Sequence, residues 1–342
     1  MKLLKDLYRI SSPSKKENLM QDFIVEKCDE LGVLIEEDEL GNLYITKGEA
    51  ESYPCIVAHM DEVCPDRTDG YRIIEQEGVL MGFDIKSKSF SGIGGDDKNG
   101  IWVALKCLEK YDVLKCAFFV GEEIGCYGSS SADIGFFKDC RFVLQCDRRG
   151  AHDLITEVCL TDLCSEEFLK ATNHEAFGYK TTSGMLTDVY TLKGNGLAVS
   201  CCNISCGYYN PHSEEEYTIF SDLQNCLSFV QNIIENCTEV YPHTAETTSC
   251  YKRYSFNDYD NYDYNYNYGY SYSGDSKTQN WDEIEEEYWD EYSEIEEQIS
   301  YMDQEELKHN MDGIAMMLYN QYQPKHVEYD EVYNLVEWYA KG

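Results

Sequence analysis

The sequence predicts an α/β fold with a mixed, mostly parallel central sheet flanked by helices, followed by an acidic low-complexity linker and a small helical C-terminal appendage. Three observations carry this. Up to about residue 240, apolar runs of strand length alternate with stretches of helical periodicity. Several runs, Cys55-Ile56-Val57-Ala58 among them, are apolar throughout, as strands covered on both faces are. Beyond residue 243 the composition shifts sharply to Tyr, Asn and Asp, and then to a run of acids.

The elements follow in order. Ser14 with Glu17 is a capping-box signature opening a helix whose apolar stripe is Met20, Phe23, Ile24, Lys27 or Cys28, and Leu31, and which ends at Gly32. Strands are expected at 33–36, 42–46, 55–59, 71–75 and 79–82, then a helix over 98–111 with Ile101, Leu105 and Leu108 inward. A buried strand at 114–120, a helix near 130–137 and a strand at 142–146 come next. Glu214, Glu215 and Glu216 can start a helix over 217–234. Ligands of such a sheet gather beyond the carboxyl ends of its strands, and His59, Glu122 and Asp147 fall at or just after such ends.

In the last third, Tyr259, Tyr262, Tyr264, Tyr266, Tyr268, Tyr270 and Tyr272 mostly alternate with polar residues, but the intervening Asn, Asp and Gly disfavour a strand, so the segment reads as a flexible linker. Helical spacing returns at Ile284, Tyr288, Tyr292 or Glu291, Ile295 and Ile299, with two further helical patterns over 303–322 and 329–340. The expected division is a catalytic domain at 1–240, a Tyr/Asn/Asp-rich linker at 241–280 and an acidic helical segment at 281–342.

Composition excludes several classes. With 43% hydrophobic residues in 342, the chain can bury a sizeable core even at a formal charge of -36. Only 28 Lys and Arg stand against 64 Asp and Glu, which argues against nucleic acid, since neutralising phosphates takes cations. The N-terminus has no secretory apolar core and no apolar run of membrane-spanning length occurs, so a cytoplasmic chain without membrane contact is expected. The 16 cysteines include no C-x-x-C pair and mostly lie in apolar patterns, so they read as reduced and buried.

The chemistry-bearing residues are His59, Asp61, Asp96, Glu122, Glu123, Asp147 and His212. Five are ordinary zinc ligands by type, and the other two suit an orienting acid and a proton shuttle. Hydrolysing an amide requires water to be deprotonated and placed and the oxyanion neutralised, and two cations about 3.5–4 Å apart serve the last two needs. Such a pair needs a shared carboxylate, a His and a carboxylate for each ion, and one spare Glu. His-x-Asp or Glu-Glu alone is a weak signal; the ordered set is a strong one.

The stretches Ala58-His59-Met60-Asp61, Gly94-Gly95-Asp96-Asp97-Lys98-Asn99-Gly100, Gly121-Glu122-Glu123-Ile124-Gly125, Cys146-Asp147-Arg148 and Asn210-Pro211-His212-Ser213 together resemble the zinc-dependent exopeptidase superfamily, which includes peptidase T and bacterial leucyl aminopeptidases. The resemblance covers about residues 1–240. It implies two divalent ions, zinc by preference: His59 and Asp147 on one, Glu123 and His212 on the other, Asp96 bridging. It further implies Asp61 orienting His59, Glu122 as general base, and a cis peptide bond after Asp96. Many relatives carry an extra lid of roughly a hundred residues. Neither the gap from His59 to Asp96 nor that from Asp147 to His212 has room for one, so a lidless domain is expected, both gaps being filled by elements of the sheet itself.

Some roles stay open. Asp97 competes with Asp96 as the bridge, and Asp153 with Asp147. Thr187 and Asp188 resemble the family's loop beside the substrate pocket, with plain helix capping as the rival. Arg148 suits a substrate carboxylate or a surface ion pair, and Tyr208 and Tyr209 either line the pocket or pack. The expected function is cleavage of a terminal peptide bond of short peptides, of the amino-, di- or tripeptidase type. The alternatives are an N-acyl amino acid deacylase on the same core and a metal-free binding module.

Overall fold

The computed structural model describes residues 1–63 and 67–245, and nine later positions: Ile295, Ile299, Ile314, Ala315, Leu318, Val332, Tyr333, Leu335 and Val336. All nine are helical, and all but Tyr333 are buried. Contacts divide the chain into two compact units, Met1–Asp258 and Tyr259–Gly342. The expected linker, save residues 241–245, and most of the expected helical segment lie outside the described residues.

The chain runs through α1 (Lys2–Arg9), α2 (Asn18–Glu30), β1 (Leu34–Glu37), β2 (Leu43–Lys47), β3 (Tyr53–His59), β4 (Tyr71–Gln76), β5 (Val79–Asp84) and β6 (Ser89–Ser91). There follow α3 (Gly95–Lys110), β7 (Leu114–Phe119), α4 (Tyr127–Ser130), a 3-10 turn at Ile134–Phe137, β8 (Cys140–Arg148), β9 (Asp153–Val158) and β10 (Thr161–Asp162). The last elements are α5 (Glu166–Thr172), a 3-10 turn at His174–Phe177, β11 (Lys180–Gly184), α6 (Asp188–Gly194), β12 (Cys201–Ser205), β13 (Tyr208–Tyr209), β14 (Tyr217–Ile219) and α7 (Phe220–Asn236).

Nine strands form the main sheet in the order β1-β2-β7-β3-β8-β12-β9-β10, with β11 beside β9. Its centre, β7-β3-β8-β12, is parallel, and antiparallel pairs close both flanks. Every residue of β3 and β7 is buried, and alternate side chains feed two cores. Ile56, Ala58, Cys116 and Phe118 pack with Ile101, Leu105 and Phe229 of α3 and α7, while Cys55, Val57, Ala117 and Phe119 pack with Val189 and Leu192 of α6. Fully burying one such large apolar side chain is worth about 1.5–3 kcal/mol, which is why their inner stretches, 55–58 and 116–119, read as apolar runs. The architecture is thus the mixed, largely parallel α/β sheet that the sequence predicts.

Four local expectations are corrected. Ser14 and Glu17 make no capping box: α2 has no side-chain cap, because Ser14 bonds Asp61 and Glu17 bonds the backbone of Gly121. The expected 130–137 helix is two short pieces, α4 and a 3-10 turn capped by the Asp133 carboxylate on Gly135 N. Residues 217–219 are a strand, since Thr218 is buried against Tyr8 and Asn99 and pairs with Leu80, so the last helix starts at Phe220. Between His59 and Asp96, the strands β4, β5 and β6 join β13 and β14 in a separate five-stranded sheet rather than extending the main one.

Every described cysteine is a free thiol, and all but Cys159 and Cys164 are buried. No helix among the described residues is long and apolar enough to cross a membrane.

Candidate metal centre

His59 closes β3, buried where the parallel strands end. Its Nδ1 lies 3.0 Å from the Asp61 carbonyl oxygen and 3.3 Å from Asp61 Oδ1, which turns Nε2 toward Asp96 Oδ1 at 3.1 Å and Asp147 Oδ1 at 3.6 Å. Asp147 comes from the end of β8. Asp96 stands in the turn that opens α3, where its non-helical ψ of 104° delays the regular helix to about Lys98. Gly94 enters that turn at φ 68°, and a Cβ there would collide with the Glu62 carboxylate. The Asp96–Asp97 peptide bond is cis.

The second oxygen of Asp96 faces the other imidazole. His212 Nε2 is 3.4 Å from Asp96 Oδ2 and 3.0 Å from Glu123 Oε2. Three groups therefore have ligand atoms within 4.8 Å of one another: His59–Asp96–Asp147, Asp96–Glu123–His212 and His59–Glu122–Glu123. The first two share Asp96. Glu122 keeps its distance, with Oε2 4.0 Å from His59 Nε2.

Asp61 joins the two halves. Its carboxylate accepts the backbone N–H of Glu122 at 2.9 Å and of Glu123 at 3.2 Å, and the Ser14 hydroxyl at 2.7 Å. One side chain thus fixes the loop after β7 and the ring of His59. Asp97 points away from the ligand face, accepting Gly100 N at 2.9 Å and His59 N at 3.3 Å, so it serves backbone while Asp96 faces both rings.

Electrostatics supply a test of fit. Burial, joined by the carboxylates of Asp147, Asp188 and Glu123, pushes the Glu122 carboxyl well above its usual range against the pull of His59. Burial and Asp96 do the same to Asp147. Burial opposes charge on Asp96 as well, yet bonds from the His212 and His59 rings hold its carboxylate well below the usual range. The His212 ring is raised to about 11 by its bonds to Asp96 and Glu123. Carboxylates packed this closely, with two imidazoles aimed among them, form a donor set that divalent cations would neutralise.

The sequence reading missed three supporting side chains. Glu216, buried just before β14, accepts Gly94 N at 2.6 Å and Asp96 N at 3.1 Å. Gln145 donates to Asp147 Oδ2 at 3.0 Å and to Asp188 Oδ2 at 3.2 Å. Asn203 accepts Asp147 N at 2.9 Å and donates to its carbonyl at 2.7 Å. For the two amides a signal was present: each interrupts an apolar strand, where an unpaired amide is costly.

The other candidates fall as follows. Thr187 donates to Gln145 Oε1 at 2.7 Å and Asp188 is fully buried, its pKa raised to about 6 by burial. Both are bonded to Gln145, which also donates to Asp147. Arg148 Nε donates to Asp153 Oδ2 at 3.2 Å. The Tyr208 hydroxyl donates to Asp147 Oδ1 at 3.2 Å, whereas that of Tyr209 bonds Asp222.

No family model matches the chain, and no curated protein matches it. Solved structures do. Aminopeptidase PepT from Bacillus cereus ATCC 10987 aligns with a TM-score of 0.59 at 15% identity, over 69% of this chain and 97% of that one. A tripeptidase from Staphylococcus aureus subsp. aureus mu50 gives 0.53 at 16% identity, over 69% and 97%. TET aminopeptidase from a marine sediment archaeon, Thaumarchaeota archaeon, gives 0.52 at 15% identity, over 68% and 96%. The chain shares their fold. At this identity the likeness establishes architecture, and it agrees with the resemblance to zinc-dependent exopeptidases carried by the five motifs.

Proposed function

We infer that residues 1–240 form a metal-dependent hydrolase that cleaves a terminal peptide bond of short peptides. One observation carries this reading: the two oxygens of Asp96 face two different imidazoles, so that two ligand triads share one carboxylate while Glu122 stands beside them. The aminopeptidase and tripeptidase neighbours support it at the level of fold.

On this reading His59 and Asp147 would hold one divalent cation, Glu123 and His212 the other, and Asp96 both, with zinc the metal best suited to such nitrogen and carboxylate donors. The bound pair would polarise the scissile carbonyl and neutralise the developing oxyanion. Glu122 would remove a proton from the attacking water and deliver it to the leaving amine, standing beside the two triads that share Asp96 with its Oε2 4.0 Å from His59 Nε2. Asp61 keeps His59 in one orientation and anchors the backbone of Glu122, so base and ligand hold register.

The test pairs metal analysis of the purified protein with a panel of di- and tripeptides and N-acylated amino acids. Expected are two zinc ions per chain, hydrolysis of free-amine peptides and loss of that activity with chelator; His59→Ala should lose both metal and turnover. A protein that holds no metal, or that turns over only acylated amino acids, overturns the reading.

A further inference from the structure

Thr187 stands at the start of α6, yet its hydroxyl caps nothing in that helix. The hydroxyl donates instead to Gln145 Oε1 at 2.7 Å and accepts Asn203 Nδ2 at 3.1 Å. Gln145 and Asn203 pair across the parallel strands β8 and β12, and all three side chains are buried. Each amide then turns to Asp147. Gln145 Nε2 donates to its Oδ2 at 3.0 Å, while Asn203 holds its backbone, accepting Asp147 N at 2.9 Å and donating to Asp147 O at 2.7 Å. The four residues close a ring of hydrogen bonds.

Two backbone N–H groups set the sense of that ring. Val189 N donates to Gln145 Oε1 at 3.0 Å, so the oxygen of this amide faces α6 and its nitrogen faces Asp147. Asp147 N fixes Asn203 Oδ1 in the same way, so Asn203 Nδ2 is the donor to Thr187 and the threonine proton goes to Gln145. The second hydrogen of Gln145 Nε2 goes to Asp188 Oδ2 at 3.2 Å, so turning this amide away from Asp147 would break its bonds to Asp147, Asp188, Thr187 and Val189 together. Asp147 Oδ2 is thereby an occupied acceptor. Oδ1, which also accepts the Tyr208 hydroxyl at 3.2 Å, is the oxygen that stands 3.6 Å from His59 Nε2.

We propose that Gln145 and Thr187 are positioning residues that present Asp147 to a divalent cation through Oδ1 alone, so that the start of α6 sets how tightly the His59–Asp147 half of the centre holds its ion. The proposal rests on the hydrolase reading above. Its argument is cost: amides and hydroxyls are buried only where their polar atoms are paired, and here that pairing converges on one carboxylate.

The experiment measures the successive zinc affinities of the full chain by competition with a chromophoric chelator. Gln145→Glu keeps the acceptor edge that Thr187 and Val189 use and replaces the donor edge that meets Asp147. It should weaken one of the two zinc affinities by about ten- to a hundredfold, the loss expected when the partner that orients a ligand is removed, and leave the other nearly unchanged. Thr187→Val leaves Gln145 Oε1 with Val189 N and Asn203 Nδ2 with the Asp147 carbonyl, so no buried polar atom of the ring is orphaned. It should weaken the same affinity by about tenfold, and Thr187→Ser should restore it. The melting temperature of chelator-treated protein checks the fold of each variant. A role confined to holding α6 is served as well by Glu as by Gln, so unchanged affinity for both ions in Gln145→Glu and Thr187→Val overturns the proposal and leaves the hydrolase reading intact. If Gln145→Glu does not fold, Thr187→Val and its serine rescue decide alone. A wild-type chain that binds no zinc overturns both.

Discussion

Glu216 accepts the backbone N–H of Asp96 at 3.1 Å while its second carboxylate oxygen takes that of Gly94 at 2.6 Å, so one acid from the edge of the small sheet grips both sides of the turn bearing the shared carboxylate. Removing it leaves two buried donors unpaired, at about 1–3 kcal/mol each, and frees the turn.

Glu216→Ala is therefore expected to weaken metal binding by about ten- to a hundredfold, as loss of a group that orients a ligand does. Glu216→Gln, which keeps one acceptor, should lie between it and the wild type. Competitive titration of zinc against a chromophoric chelator reads the difference. Equal affinity in all three proteins would mean that the turn holds itself.

Glu122→Ala should lower kcat by about 10²–10⁴, the usual worth of a positioned proton acceptor, and retain both metals. Elemental analysis beside steady-state kinetics decides it. Loss of metal would exchange the roles of Glu122 and Glu123.

Ser14→Ala tests the bond that steadies Asp61. The expected outcome is a fall in kcat/KM of about tenfold with little change in melting temperature, since the hydroxyl lies among functional rather than core groups. An unaltered rate would make Ser14 a bystander.

Lys98 and Glu62 form a buried ion pair at 2.7 Å, with Arg67 also on Glu62 at 2.7 Å. Lys98→Ala leaves the buried carboxylate with Arg67 but without its lysine partner and should cost about 1–3 kcal/mol. Urea unfolding of chelator-treated protein measures this without a contribution from bound metal. A loss below about 1 kcal/mol would show that Arg67 alone suffices.

Much of this was legible in the sequence because burial dictates residue type. The runs that became β3, β7 and β8 are mostly apolar because both their faces are covered, and the site residues announce themselves by standing at or just beyond the ends of those runs. What escaped was long-range pairing. Ser14 and Glu17 have the spacing of a helix cap, yet their partners are Asp61 and Gly121, distant in sequence. Glu216 looked like the first turn of a helix because its use depends on a backbone turn 120 residues earlier. The strands β4 and β5 were readable as strands, the three-residue β6 was not, and nothing local tells which of two sheets a strand will join.

His212 hangs from the loop between β13 and β14, strands of two and three residues, and keeps 49% side-chain exposure, whereas His59 and Asp147 are seated on the floor of the main sheet. The halves of the proposed centre are thus unequally anchored, because short peripheral pairings open long before a central sheet does. Under metal scarcity the ion at Glu123 and His212 would depart first, and the protein would idle in a singly loaded form, ready to be rearmed without refolding.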